Sequence, residues 1–183
     1  YTVVRASISN YFRELVADFE SVYYGFYFLE IADYYTRENA DELHMLKLLY
    51  QSMRALEKKT LPNRLVRCIY ELKAMVINGE YPNVFSCMDC KREDRLAFFD
   101  VEKGGVLCET CGRTGTIPVD ASTLYALQYI VTSSIEKLYT FTVSEEVLKT
   151  LERVMEAYMK RYIDRRFKSL EVLKENLGFA GRL

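Results

Sequence analysis

Hydrophobic and polar residues recur at helical spacing over most of the chain. The pattern turns helical from Tyr11 to Tyr35, and between Val22 and Ile31 apolar side chains surround nearly the whole circumference of the predicted helix. A helix that is apolar on all sides is a buried one, so we expect this segment to form a central helix. Further apolar helix faces follow over residues 43–56, 65–76, 124–131 and 147–162.

Polar residues ahead of three of these faces predict where the helices begin. Asn39 followed by Glu42 fits a capping box, in which the two side chains satisfy free amides at the helix start. Either Asp120 or Ser122 is suited to cap the third helix of this set, and Ser144 is suited to cap the last one.

Residues 81–117 interrupt the helical pattern. Ala97–Asp100 and Val106–Leu107 are typical of short strands, and they flank a turn at Gly104 and Gly105. Two close pairs of cysteines lie in the same stretch. This composition predicts a small β module inserted between helical segments.

The cysteine pairs have the spacing of a zinc ribbon. Cys87 and Cys90 are separated by two residues, as are Cys108 and Cys111, and 17 residues lie between the pairs. Zinc takes four thiolates in a tetrahedral shell, and a two-residue spacer lets both sulfurs of a pair reach one ion. We therefore predict one structural zinc ion with no coordination position open for catalysis. Two disulfides, a redox-active pair and an iron–sulfur cluster are the alternatives that the pattern leaves open.

These segments together predict a mainly α fold, a helical bundle domain with an inserted small β zinc ribbon. The predicted divisions are a first helical part at 9–80, the ribbon at 81–117 and a second helical part at 118–183. Residues 1–8 alternate loosely and include β-branched residues, so we expect them to be the last strand of a domain upstream.

Composition and charge narrow the classes of function. The chain of 183 residues has a net charge of -1, which does not by itself indicate a nucleic-acid partner. It contains no apolar run of about 18 residues, so no membrane partner is expected. Cys68 lies on an apolar helix face and is expected in the core, whereas His44 is expected at or near the surface. Close cysteine pairs suit a reducing compartment, which favours the cytoplasm.

The end of the chain is locally basic. From Arg153 to Lys174 there are seven basic and three acidic residues, a local charge of +4. Arg161, Arg165 and Lys168 have the spacing i, i+4, i+7, which would place them on one line of a helix. A line of cations can follow a phosphate backbone, and aromatic side chains beside it can stack on bases.

We accordingly predict a DNA-binding surface at this end of the chain, with Tyr158 and Tyr162 beside it. Its members are Arg161, Arg165, Arg166 and Lys168. The alternative is a solvated helix flank. A second basic patch surrounds the cysteines but is interleaved with acids; it comprises Lys91, Arg92, Arg95, Lys103 and Arg113. No carboxylate pair, phosphate-cradling glycine loop or nucleophile–base set is recognisable, so no enzymatic activity is predicted.

An ordered set of short segments carries a family resemblance. The set consists of Tyr24–Asp33, Arg67–Lys73 followed by Gly79 and Pro82, Phe98-Phe99, Gly104–Cys108, and Arg165–Ser169 followed by Leu173. It spans nearly the whole chain and resembles the C-terminal region of the RecO family of bacterial DNA-repair proteins.

The resemblance implies an N-terminal OB-fold, mostly absent from this chain, of which residues 1–8 would be the final strand. It implies a mediator of DNA repair and homologous recombination in the RecFOR pathway, located in the bacterial cytoplasm with the nucleoid. Such a mediator binds and anneals single- and double-stranded DNA. Its implied partners are RecR and single-strand-binding protein, and indirectly RecA, which it helps to load. The alternative is a non-enzymatic zinc-ribbon scaffold for protein interactions, for example one associated with transcription.

Overall fold

The computed structural model of the protein describes residues 2, 4–8 and 10–176. Those residues form seven helices and one small antiparallel sheet, so the predicted mainly α fold with a β insert is confirmed. The helices are α1 (Arg13–Val16), α2 (Phe19–Tyr35), α3 (Leu43–Lys58), α4 (Asn63–Ile77), α5 (Ala121–Thr132), α6 (Glu145–Tyr162) and α7 (Lys168–Asn176). The strands are β1 (Leu96–Asp100), β2 (Gly105–Cys108) and β3 (Ile117–Pro118), and a 3-10 turn spans Ile135–Lys137.

Local side-chain caps set the starts of several helices. The carboxylate of Asp120 accepts from the amide of Thr123, so Asp120 and not Ser122 caps α5, and Ser144 accepts from the amide of Val147, so the predicted cap of α6 is confirmed. Asp18 caps α2 in the same way, which divides the single helix predicted from Tyr11 into α1 and α2.

The predicted capping box ahead of α3 is wrong. Asn39 has the left-handed φ of 65°, not the extended conformation of a capping residue. The carboxylate of Glu42 accepts instead from the amide of Arg37, and α3 begins only at Leu43. The Asn39–Glu42 pair therefore belongs to the turn before the helix.

Helix α4, and not α2, lies at the centre of the helical body. Every residue from Leu65 to Met75 is buried, and α4 packs on α2, α3, α5 and α6. Helix α2 buries one face but leaves Phe26 51% and Leu29 47% exposed. The prediction of a central helix at 22–31 is wrong. Apolar residues on all sides of a helix do not determine which of its sides pack against other helices.

A buried lysine connects α4 to the end of α5. The Nζ of Lys73 donates to the carbonyl oxygens of Ile130, Val131 and Ser133, at 3.2, 3.1 and 2.6 Å. The last carbonyls of a helix lack intrahelical donors, so Lys73 acts as a C-terminal cap supplied by another helix. Burial lowers the pKa of this amine.

A buried ion pair connects α4 to α2 and α6. Arg67 lies 3.7 Å from the carboxylate of Glu71 and 3.5 Å from that of Glu152. The hydroxyl of Tyr27 donates to Glu71 at 2.6 Å. Burial raises the pKa of Glu71. These contacts allow charged residues to occupy the most buried helix of the body.

The sheet has the strand order β2-β1-β3 with antiparallel pairing throughout. Leu96 lies opposite Cys108 and Asp100 opposite Gly105, so the hairpin predicted around the double-glycine turn is confirmed. Strand β3 closes the sheet through Phe99 and Ile117 and was not predicted. The sheet lies against α5 and α6, where the ring of Phe99 packs edge-on against Tyr158.

The start of the chain forms no helix or strand in its described part. Residues 2 and 4–8 are exposed, and residues 1 and 3 lie outside the described residues. The upstream strand at 1–8, and the divisions at 9–80, 81–117 and 118–183, stay predictions. Among the helices that the structure describes, none is long and apolar enough to cross a membrane.

Candidate metal centre and nucleic-acid interface

The fold brings the four paired cysteines into one cluster. Cys87 and Cys90 precede β1, Cys108 ends β2, and Cys111 follows in the next turn. Their sulfurs all lie within 4.8 Å of one another, and the Sγ atoms of Cys90 and Cys108 are 3.6 Å apart. Four sulfurs around a zinc ion at roughly 2.3 Å would lie roughly 3.8 Å from each other. The cluster therefore has the dimensions of a tetrahedral metal site.

The two cysteine pairs are held by equivalent backbone turns. The amide of Lys91 donates to the carbonyl of Cys87 at 3.0 Å, and the amide of Gly112 donates to the carbonyl of Cys108 at 3.0 Å. Each turn is closed by the residue that follows the second cysteine of its pair. The amide of Met88 also donates to the carbonyl of Val106 in β2, which fixes the first pair beside the hairpin.

Two thiols of the cluster, those of Cys87 and Cys108, have lowered pKa values. Burial opposes ionisation of Cys87, but hydrogen bonds from nearby amides, that of Cys90 first, outweigh it and lower the pKa of this thiol to about 6. The pKa of Cys108 is lowered although burial opposes it, because the amide of Cys111 donates to its sulfur. Cys111 in turn donates to Cys108 and Cys90, which raises its own pKa to about 12. Clustered thiolates that share protons are a donor set for a cation.

Two tyrosines of α6 bond to the backbone within the ribbon or directly before it. The hydroxyl of Tyr158 donates to the carbonyl of Glu80 at 3.1 Å, and that of Tyr162 to the carbonyl of Val101 at 3.2 Å. Tyr158 is only 3% exposed, so its predicted availability for base stacking is wrong. Tyr162 is 38% exposed and keeps part of its ring at the surface.

The basic residues of the ribbon are paired with its own acids. Arg113 contacts Asp89 at 3.4 Å and also bonds Asp100, and Lys103 bonds Asp89. Arg92 and Arg95 both contact Asp94, at 3.6 and 3.9 Å. The second basic patch considered from the sequence is therefore largely neutralised within the module.

The predicted line of cations along one helix is wrong. Helix α6 ends at Tyr162 and α7 begins only at Lys168, with extended backbone at Ile163. The break lets the ring of Phe167 reach the core, where it packs edge-on against Tyr27 at 5.3 Å between centroids. The free energy gained by burying Phe167 and Ile163 therefore exceeds the free energy that a continuous helix would gain from its backbone hydrogen bonds.

The four predicted DNA contacts nevertheless lie around this one connection between α6 and α7. Arg165 pairs with Asp33 at 2.9 Å, and Arg166 is 91% exposed although Glu171 lies 3.7 Å away. The guanidinium of Arg161 lies 5.7 Å from the ring centroid of Tyr162. Lys168 is exposed at the first position of α7. These four residues are called the α6–α7 cluster below.

Sequence reasoning missed two other arginines that lie over tyrosine rings. Arg13 lies 5.5 Å from the centroid of Tyr11, and Arg54 lies 6.0 Å from that of Tyr50. For Tyr50 and Arg54 the available signal was their i, i+4 spacing on one helix, whereas Tyr11 and Arg13 are only two residues apart and offered no such signal. Both pairs were overlooked because neither arginine belongs to a run of like charges.

The remaining candidates carry no reactive arrangement. Cys68 is fully buried, as predicted, and burial raises the pKa of its thiol. His44 is exposed, as predicted. A cleft of about 460 Å³ lies between the start of α5 and the start of α6, and its described lining contains no acid, base, cysteine or histidine.

The fold and the cluster define a helical domain that carries a four-cysteine β ribbon able to hold a metal ion. The family model described as "Recombination protein O C terminal" matches residues 16–171. The chain belongs to this family.

Curated relatives agree with the family match. A protein of Acetivibrio thermocellus called DNA repair protein RecO is 30% identical over 179 residues, which cover 95% of this chain and 70% of that relative. Proteins with the same name from Caldicellulosiruptor bescii and Alkaliphilus metalliredigens are 26% and 25% identical, covering 71% and 73% of their lengths. The resemblance stated from the sequence is confirmed.

Proposed function

We propose that this protein takes part in bacterial DNA repair as a non-enzymatic mediator of homologous recombination in the RecFOR pathway. The observation that carries the proposal is the family match over residues 16–171, together with the shared name of the relatives. The buried charged residues Arg67, Glu71 and Lys73 fit a structural role, because they form an ion pair and a helix cap. The protein acts in the cytoplasm, at the nucleoid.

The metal of the ribbon is zinc, and its role is structural. Four sulfurs of equal type, closed by matched backbone turns, suit the tetrahedral preference of zinc and leave no open position for a substrate. The ion would hold the two cysteine pairs together beneath the β1–β2 hairpin. It supports the surface of the protein without contacting DNA.

Single- and double-stranded DNA are the ligands, and the α6–α7 cluster contributes to their binding. Arg166 and Lys168 extend into solvent, and Arg161 has an aromatic neighbour and no carboxylate within ion-pair distance in the described chain. Phosphates can therefore replace water at three of the four cations, whereas Arg165 would have to exchange Asp33 for a phosphate.

Protein partners complete the proposed role. RecR and single-strand-binding protein are direct partners, and RecA is an indirect one. Large apolar side chains that stay exposed support contact with proteins; they include Phe26, Leu29, Leu43 and Leu46. The same observation favours the second candidate function, a protein-interaction scaffold that makes no contact with DNA.

A salt titration distinguishes the two functions. Binding of a fluorescent single-stranded oligonucleotide is measured by anisotropy for the wild type and for Arg161→Ala/Arg165→Ala/Lys168→Ala. Loss of three phosphate contacts lowers the slope of log affinity against log salt by about 2, at about 0.7 per contact. The matched control, Lys91→Ala/Arg92→Ala/Arg95→Ala, removes the same charge from the ribbon. If the wild-type protein binds no DNA even at low salt, the mediator function is refuted and the scaffold function is favoured.

A further inference from the structure

A second surface of the protein combines exposed tyrosine rings with arginines. It is formed by α1 and the residues before it, together with one face of α3, and is called the α1–α3 surface. Tyr11 is 63% exposed and Tyr50 is 41% exposed, although rings of this size are usually covered. Arg13 and Arg54 lie over these two rings.

Neither arginine has an acidic partner among the residues that the structure describes. Arg64 shows the usual alternative, since it contacts both carboxylate oxygens of Glu145 at 2.8 Å. Arg13 and Arg54 instead lie 5.5 and 6.0 Å from their ring centroids, at the outer limit of a cation–π contact. Contacts this long allow the guanidinium to turn away and bind an anion while a planar group stacks on the face of the tyrosine ring.

The two tyrosine–arginine pairs belong to one patch. The ring of Phe12, which lies between Tyr11 and Arg13 in the chain, packs edge-on against Tyr50 at 5.9 Å between centroids. A cleft of about 310 Å³ opens beside them, lined by residues 10–13 and Glu57. This volume is at the lower end of the range for small-ligand sites, and suits one base turned out of a strand.

The charge of the patch favours a polyanion. Lys58, one turn beyond Arg54 on α3, is exposed and adds a third cation. Two acids, Glu14 and Glu57, stand against these three cations. Stacking on exposed rings requires unpaired bases, and cations beside the rings suit the phosphates between them.

We propose that the α1–α3 surface binds single-stranded nucleic acid, with a base stacked on Tyr50 and a phosphate held by Arg54. This inference rests on the proposed function, since it gives the protein a second contact with the DNA that it repairs. The α1–α3 surface and the α6–α7 cluster share no residues. A strand that bound at both would therefore contact more of the protein than a strand bound at one of them. Leu43 and Leu46 on the same helix are also exposed, and they favour a protein as the competing ligand of this surface.

The test compares two matched double variants for binding of a fluorescent oligo-thymidine strand. Tyr50→Ala/Arg54→Ala removes a stacking ring and a cation from the α1–α3 surface. Tyr125→Ala/Arg153→Ala removes the same pair of residue types from exposed positions of α5 and α6. We expect about tenfold weaker binding for the first variant, from loss of one stacked base and one phosphate contact. The control is expected to bind within about twofold of the wild type.

Two further variants separate binding from folding. Tyr50→Phe keeps the ring and is expected to keep the wild-type affinity, because base stacking does not need the hydroxyl. Arg54→Glu changes a partly exposed side chain, leaves the buried face of α3 intact and is expected to weaken binding further. Equal weakening by Tyr50→Phe and Tyr50→Ala/Arg54→Ala would overturn the stacking role.

The outcomes distinguish this inference from the proposed function. If Tyr50→Ala/Arg54→Ala binds like the wild type while the α6–α7 variant is weakened, only this inference fails and the proposed function stands. If the α6–α7 variant binds normally and the α1–α3 variant is weakened, the inference stands and the proposed DNA contact at α6–α7 fails. A wild type that binds no single strand overturns both.

Discussion

The ribbon and the helical body hold their structure in different ways. The ribbon has strands of five, four and two residues, and its charges pair across its own surface. The body is built on α4, whose buried face is continuous from Leu65 to Met75 and whose charged residues find partners on other helices. A sheet this short cannot bury enough apolar area alone, so we infer that the ribbon depends on the proposed metal ion and the body does not.

Removing the proposed metal ion should have the largest effect, and that effect should be confined to the ribbon. Cys108→Ser, or chelation of the wild type, would remove the proposed zinc ion, and structural zinc sites have apparent binding free energies of roughly 10–16 kcal/mol at neutral pH. We expect residues 81–118 to lose protection in hydrogen exchange, while α2 to α4 keep theirs and the helical circular-dichroism signal is retained.

The fifth cysteine provides the matched control. Cys68→Ser places a hydroxyl in the body and should lower its free energy of unfolding by roughly 1–3 kcal/mol, with one zinc per chain retained. Loss of the body's protection on chelation would contradict the division into two independently supported regions.

Breaking the buried ion pair should affect the body and spare the ribbon. Arg67→Ala leaves Glu71 buried without its cation, and removing one partner of a buried pair costs roughly 3–5 kcal/mol. The measurement is urea unfolding followed by circular dichroism, with zinc content determined in parallel. A reduced zinc content in folded Arg67→Ala protein would show that the two regions are coupled.

Lys73 should make the stability of the body depend on pH. Its folded-state pKa is lowered by burial from 10.5, so folding is less favourable with the charged amine than with the neutral one. This difference disappears as the pH rises from the lowered pKa towards 10.5, the unfolded value. Wild-type stability should therefore rise over that alkaline window relative to Lys73→Met.

At neutral pH the loss of three donors at the end of α5 makes Lys73→Met less stable by roughly 1–3 kcal/mol. Urea midpoints of the two proteins across the pH range test both statements. A difference between the proteins that stays constant with pH would refute the lowered pKa.

The smallest expected effect is at the junction between the two regions. Gly104 has a φ of +65°, and a β-carbon there would lie 2.9 Å from the hydroxyl of Tyr162. Gly104→Ala should cost about 1 kcal/mol for the backbone and a further loss because Tyr162 has to move. Gly79→Ala, at a φ of +76° with nothing within 4 Å, carries only the backbone cost. Equal melting temperatures for the two variants would mean that Tyr162 does not hold the ribbon.

Short-range features of this protein could be determined from the sequence. The spacing of Cys87, Cys90, Cys108 and Cys111 predicted their clustering, since each pair needs only a local turn and the hairpin between them is short. The caps Asp120 and Ser144 were predictable for the same reason, because a capping side chain bonds an amide three residues away.

Which helix is central, and where the cations lie, depends on long-range packing that the sequence does not show. Arg67, Glu71 and Lys73 give α4 a polar sequence, yet it is the most buried helix because their partners come from α2, α5 and α6. Likewise, nothing within 161–168 shows that the helix breaks there, because the break depends on the contact of Phe167 with Tyr27, which is 140 residues earlier in the chain. Spacing along the chain determines contacts within a turn or a hairpin, whereas the choice of partner for a buried side chain depends on the packing of the whole body.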